Sequence, residues 1–252
     1  MSMPPQTAPT RLRLSVLAHL AGCVAGVALG AWAVMQHQEW PETYIAACLV
    51  ALLPVAWLAL TRLQGHGHGA WGHANRVTLL RAGLLALLAG MLPFTPAIAA
   101  DALWLPALIA VAALGLDGVD GWLARRQGLA SAYGARFDME VDTLAILVLA
   151  LLLWRTGEVG AWVLALALPR PLFVLAARIR PWLSAPLPPS QRRRVICMLQ
   201  VAVLAFCLTP VVGPPLTGFA VGAALALLLF SFAVDTVWLE SRRDNAGGTN
   251  NG

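Results

Sequence analysis

Lysine is absent from this 252-residue chain, and charge of either sign is scarce. Charged residues make up 12% of it, half the roughly 25% typical of a soluble domain. That shortage argues against an ordinary cytosolic enzyme. Polar low-complexity sequence is also missing from the body of the chain. With 59% apolar residues, an intrinsically disordered chain is excluded. Cysteine is sparse: Cys23, Cys48, Cys197 and Cys207 each stand inside apolar runs. That spacing makes no zinc or redox motif, so they read as small core residues without a disulfide. Alternating apolar and polar residues are lacking too, which argues against membrane strands.

What is there instead is a series of long Leu- and Ala-rich runs, with a mean hydropathy of +0.74. The fold class they predict is all-α, a polytopic membrane helical bundle. A helix crosses the hydrocarbon core with about 20 apolar residues. Eight stretches qualify, near 14–36, 43–61, 77–94, 98–116, 143–154, 159–178, 195–211 and 217–238. The fifth is short and is expected to begin near Phe137 with a polar first turn. The first follows Arg11 and Arg13 but is longer than a signal-peptide core, so it reads as an uncleaved helix. Residues 1–12 and 241–252 read as disordered tails.

All seventeen basic residues other than histidine are Arg, against twelve acids, for a net charge of +5. Such an excess can signal nucleic acid. Here the arginines fall between apolar runs, so they read as membrane topology, with no nucleic-acid partner. Arg11, Arg13, Arg62, Arg76, Arg125, Arg126, Arg136, Arg178, Arg180, Arg192, Arg193, Arg194, Arg242 and Arg243 fall on one side of an eight-span arrangement. The positive-inside rule makes that side cytoplasmic and places both termini there. The expected location is the cell inner membrane, with the active site on the cytoplasmic face. Arg81 and Arg170 lie within spans. The prolines around Arg170 predict a kink. Arg170 reads equally as a phosphate or carboxylate contact in an acceptor pocket or as a snorkelling side chain. Arg178 has the same two readings, anion contact or topology, and the run Arg192–Arg194 reads as lipid contact or topology. His66, His68 and His73 fall in a Gly-rich tract that reads as a linker. Trp40, Trp154 and Trp162 near one boundary and Trp57, Trp122 and Trp238 near the other form an aromatic belt. Asp235, near the end of the last run, reads as structural.

Acid is concentrated. Five of the twelve acidic residues fall between Asp117 and Asp142, in DGVDGWLARRQGLASAYGARFDMEVD. On a helix Asp117 and Asp120 share a face at i,i+3, and Asp138 and Asp142 share one at i,i+4. A Gly- and Ser-containing turn between them permits an antiparallel hairpin, which brings four carboxylates to the membrane surface. Such a cluster is self-repelling, and divalent cations would relieve it. An all-oxygen donor set favours Mg²⁺, Mn²⁺ or Ca²⁺ over zinc. Gly118 and Gly121 cost about 1 kcal/mol each inside a helix and permit close approach of a ligand or a neighbouring helix. Arg125, one turn beyond Gly121, can pair with phosphate.

These residues resemble the CDP-alcohol phosphatidyltransferase signature, D-x2-D-G-x2-A-R-x8-G-x3-D-x3-D. It is met at Asp117, Asp120, Gly121, Ala124, Arg125, Gly134, Asp138 and Asp142. Upstream, Asn75, Thr78 and Arg81 resemble the family's N-x2-T-x2-R at the start of its first core helix. The resemblance implies a six-helix core over residues 75–240, with residues 13–74 as two added helices and a His/Gly-rich loop. It implies transfer of a phosphatidyl group from CDP-diacylglycerol to a small alcohol, releasing CMP, in phospholipid biosynthesis. Asp117, Asp120, Asp138 and Asp142 would be metal ligands for Mg or Mn, as two divalent ions, with Asp142 also the general base. Asn75, Thr78, Gly121, Ala124, Arg125 and Gly134 would hold the CDP moiety, and the protein would be a homodimer. Thr143 departs from the Lys that follows the last Asp in members resembling phosphatidylglycerophosphate synthases, which weakens glycerol 3-phosphate as acceptor. A CDP-alcohol phosphotransferase with a lipid acceptor uses the same signature. A divalent-cation transporter is a further alternative; it predicts acids near the membrane midplane on several helices.

Overall fold

The computed structural model describes residues 10–61, 63, 71–95, 98, 100–127, 131–188 and 190–248, with only the backbone at 100, 101, 119–127 and 243–248. Among the described residues there are nine α-helices and no strand. They are α1 (Thr10–Gln38), α2 (Thr43–Ala51), α3 (Leu53–Leu60), α4 (His73–Gly90), α5 (Trp104–Gln127), α6 (Ala132–Arg155), α7 (Pro169–Ile179), α8 (Gln191–Cys207) and α9 (Leu216–Gly248). The chain is thus a helical membrane bundle, and the described part of each of the eight apolar runs is mostly helical. The last helix continues to Gly248, past the tail expected from 241. The N-terminal residues 1–9, His66 and His68 lie outside the described residues.

Three helical stretches are long and apolar enough to cross a bilayer by themselves: Thr10–Gln38, Thr43–Leu60 and Leu216–Arg242. The stretch Thr43–Leu60 holds both α2 and α3, which meet at Leu52 because Pro54 stands in the first turn of α3. Proline has no N–H to continue the ladder but is tolerated at a helix start. The sixth run is a 3-10 segment, Ala161–Ala167, followed by α7 at a bend of 54°, beside Pro169 and Pro171. The other runs fall short of a simple span for a reason that bears on function. Helices α4, α5 and α6 carry the Arg and Asp residues of the two motifs, and α8 opens with three arginines.

Helix α4 is central. It packs against α5, α6, α1 and α2, and it buries the polar residues Asn75, Thr78 and Arg81 along with its leucines. The glycines of α4 set the distance to the N-terminal helices. A Cβ on Gly83 would lie 3.2 Å from the Cys23 Sγ of α1, and one on Gly90 would lie 3.1 Å from the Cys48 backbone nitrogen of α2. The Tyr44 hydroxyl donates to the Leu87 carbonyl at 3.1 Å, and Trp40 stacks on Phe94. All four cysteines are free. The outer surface is apolar: Leu17, Leu29, Trp32, Trp57, Leu108, Phe219 and Phe230 are exposed, as a lipid-facing surface requires.

Candidate active site

Helix α6 begins at Ser131, whose Oγ accepts the Gly134 N–H at 3.0 Å. This cap satisfies one of the open N–H groups of the first turn. It fixes where α6 starts, and therefore which side Asp138 and Asp142 present. Gly134 lies against the first turn of α4: a Cβ there would stand 2.8 Å from the Asn75 Oδ1. The close approach of the two helices needs the missing side chain. Two motifs about sixty residues apart are in contact at this point.

Beyond that contact Arg81 reaches the acids. One of its terminal nitrogens donates to Asp117 on α5, and the other to Asp138 on α6 at 2.5 Å. The second nitrogen is also 2.9 Å from Asp142. The Arg81 side chain is 3% exposed, whereas Asp117, Asp138 and Asp142 are 22%, 37% and 24% exposed. A guanidinium at a span centre costs about 2.5–3.5 kcal/mol on insertion scales, and these carboxylates offset it. The three carboxylates each bring an oxygen within 4.8 Å of the others. One guanidinium balances one of their three charges, so the described cluster keeps a net negative charge. Half-buried oxygen donors with unbalanced charge can hold a hard divalent cation. Asp120 lies three residues after Asp117 on the α5 backbone; its side chain, and those of Ala124 and Arg125, lie outside the described residues. The same limit applies to what surrounds Gly121. Gly118 has no described atom within 4 Å of a Cβ position.

Helix α8 closes the apolar side of the cluster. Cys197 and Val201 join Arg81, Asp117, Asp142 and Leu85 around a cavity of about 20 Å³, room for one water. Thr78 is buried on α4, and its hydroxyl donates to the Ala74 carbonyl at 3.1 Å. On the opposite side of α6, Arg170 donates to the Met139 carbonyl and stands 3.4 Å from Glu140. Arg170, Arg178, Glu140 and Thr143 line one cleft of about 290 Å³. The two predicted acceptor arginines therefore share a cleft, with Thr143, the residue after Asp142, on its wall. The arginine run divides: Arg192 and Arg193 hold the buried Asp235 of α9, at 2.5 and 3.1 Å.

Sequence reasoning assigned no task to Arg81. Its signal was an arginine inside a span, in a motif already noted. Glu140 was overlooked as the partner of Arg170, although it lies within the acidic window. Cys197 gave no signal, since only packing brings α8 to the aspartates.

Residues 71–236 match the model of the CDP-alcohol phosphatidyltransferase family. No curated protein and no solved structure matches the chain. The matched span runs from two residues before α4 into α9 and contains both motifs and the Arg81–aspartate cluster. The chain belongs to the CDP-alcohol phosphatidyltransferase family, as an integral membrane protein in which two N-terminal apolar stretches precede the matched region.

Proposed function

We propose that the protein transfers the phosphatidyl group of CDP-diacylglycerol to a small alcohol, with release of CMP, as a step of phospholipid synthesis. The observation that carries this reading is the group of three carboxylates held within 4.8 Å on Arg81, inside the matched family region. Asp117, Asp120, Asp138 and Asp142 would hold Mg²⁺ or Mn²⁺, which neutralises diphosphate charge when bound. Asp142 takes the proton of the acceptor hydroxyl, for which hydrogen-bond reach is enough. The hydroxyl oxygen then bonds to the phosphatidyl phosphorus, the P–O bond to the CMP phosphate breaks, and CMP leaves. Arg81 keeps Asp117, Asp138 and Asp142 converged while the donor enters. Asn75, Thr78, Gly121, Ala124, Arg125 and Gly134 form the cradle for the CDP moiety. The cleft of Arg170 and Arg178, which Thr143 also lines, takes the acceptor.

The membrane location follows from the same chemistry. Diacylglycerol tails remain in the bilayer while the diphosphate meets a polar site at its edge. We place that edge on the cytoplasmic face, where the arginines gather, and propose a homodimer. The test is to incubate membranes containing the protein with CDP-diacylglycerol, Mg²⁺ and one candidate alcohol at a time. CMP release that depends on the acceptor and disappears in Asp142→Asn supports the reading and names the acceptor. Donor binding without CMP release for any alcohol would point to the reversed pairing, a soluble CDP-alcohol with a lipid acceptor. Absence of donor binding would overturn the reading.

A further inference from the structure

The N-terminal helices wall a second cleft, which adjoins the proposed acceptor cleft and shares Glu140 and Arg178 with it. It measures about 240 Å³ and is lined by Trp57 and Thr61 from the end of α3, Arg136 and Glu140 from α6, and Arg178 from α7. Helical phase separates it from the aspartates. Arg136 and Glu140 are an i,i+4 pair displaced by two residues from Asp138 and Asp142. They therefore lie on the opposite face of α6. The wall is fixed in place, because the buried Tyr133 hydroxyl of α6 donates to the Ala59 carbonyl of α3 at 2.6 Å.

The charges in this cleft are unbalanced. Glu140 is 3.4 Å from Arg170, and among the described residues neither Arg136 nor Arg178 forms an ion pair. Two guanidiniums from different helices thus converge on one concavity with an indole and a hydroxyl beside them. Planar guanidiniums bind phosphate through paired N–H groups, and Trp57 offers an apolar flank. We propose that this cleft, on the face of α6 away from the aspartates and set apart from the acceptor cleft by Arg136, Trp57 and Thr61, is an anion site, which takes a phosphate-bearing group: a membrane-lipid head group or a soluble phosphate.

The test reads binding without turnover, so its failure is distinct from failure of the transferase reading. The full chain, in neutral detergent with chelator, is titrated with dioctanoyl phosphatidic acid and, separately, with inorganic phosphate while thermal melting is recorded. The wild type is expected to show a saturable rise. Arg136→Gln weakens that binding about tenfold, the scale of one charge-assisted hydrogen bond. Glu140→Gln shifts it the other way, by removing the negative charge, so a folding defect in one variant leaves the other to decide. Phosphatidic acid acting at far lower concentration than phosphate assigns the site to lipid, and Trp57→Ala then narrows the gap. Equal potency assigns it to a soluble phosphate. No stabilisation of the wild type by either probe, or unchanged binding in both charge variants, overturns the proposal.

Discussion

Three carboxylates whose oxygens lie within 4.8 Å of one another repel, and Arg81 cancels only part of that repulsion. Its own burial, at 3% exposure, makes the dependence mutual. Removing one partner of a buried ion pair leaves an uncompensated charge, at a cost of about 3–5 kcal/mol. Arg81→Gln is therefore expected to lower the melting temperature of the purified protein steeply, and added Mg²⁺ should recover part of the loss. A melting temperature equal to wild type would remove Arg81 from the account. Asp142→Asn differs in kind. It keeps the size and most of the hydrogen bonding but cannot accept the hydroxyl proton. Loss of a general base costs about 10²–10⁴-fold in rate, so CMP release should fall by that order while the melting temperature stays near wild type.

Between elements, contact distance and charge pairing set the arrangement. Helix α2 approaches α4 where Gly90 faces Cys48, and a Cβ at Gly90 would be 3.1 Å from the Cys48 backbone nitrogen as well as against its sulfur. Backbone cannot step aside as a flexible side chain can. Gly90→Ala should destabilise by about 1–3 kcal/mol through overpacking, seen as a lower melting temperature, while Gly83→Ala, which meets only side-chain atoms, costs less. Helices α8 and α9 are joined by Asp235, whose side chain is 11% exposed and faces Arg192 and Arg193. Asp235→Asn leaves two arginines without their counter-charge. It should loosen this pair, read as faster hydrogen exchange at the start of α8, with little change at α4 and α6.

At the scale of the whole molecule, the cluster of Arg81 with Asp117, Asp138 and Asp142 comes from α4, α5 and α6, whereas α1 and α2 pack on α4 and α3 packs on α1, α2 and α6. A chain beginning at residue 71 should melt at a lower temperature, because it loses the packing of Tyr44, Cys48 and Cys23 on α4. Its rate of CMP release per folded molecule should stay within a few-fold of wild type. A loss as complete as that in Asp142→Asn would show that the added helices take part in the chemistry.

Much of this was legible in the sequence, because helical periodicity is local. Apolar run length located the helices, and the i,i+3 and i,i+4 spacing of the aspartates placed each pair on one face without any knowledge of packing. The prolines around Arg170 marked the bend before α7. Composition alone was enough for a helical membrane bundle. Tertiary structure decided what periodicity cannot carry. Only the docking of α4 on both α5 and α6 aims Arg81 at Asp117, Asp138 and Asp142, and puts Asn75 where Gly134 must lack a side chain. Only the placement of α3 on α6 makes a cleft from Trp57 and Arg136. Spacing along one helix fixes a face, but which face meets which depends on the fit of side chains from segments far apart in the chain.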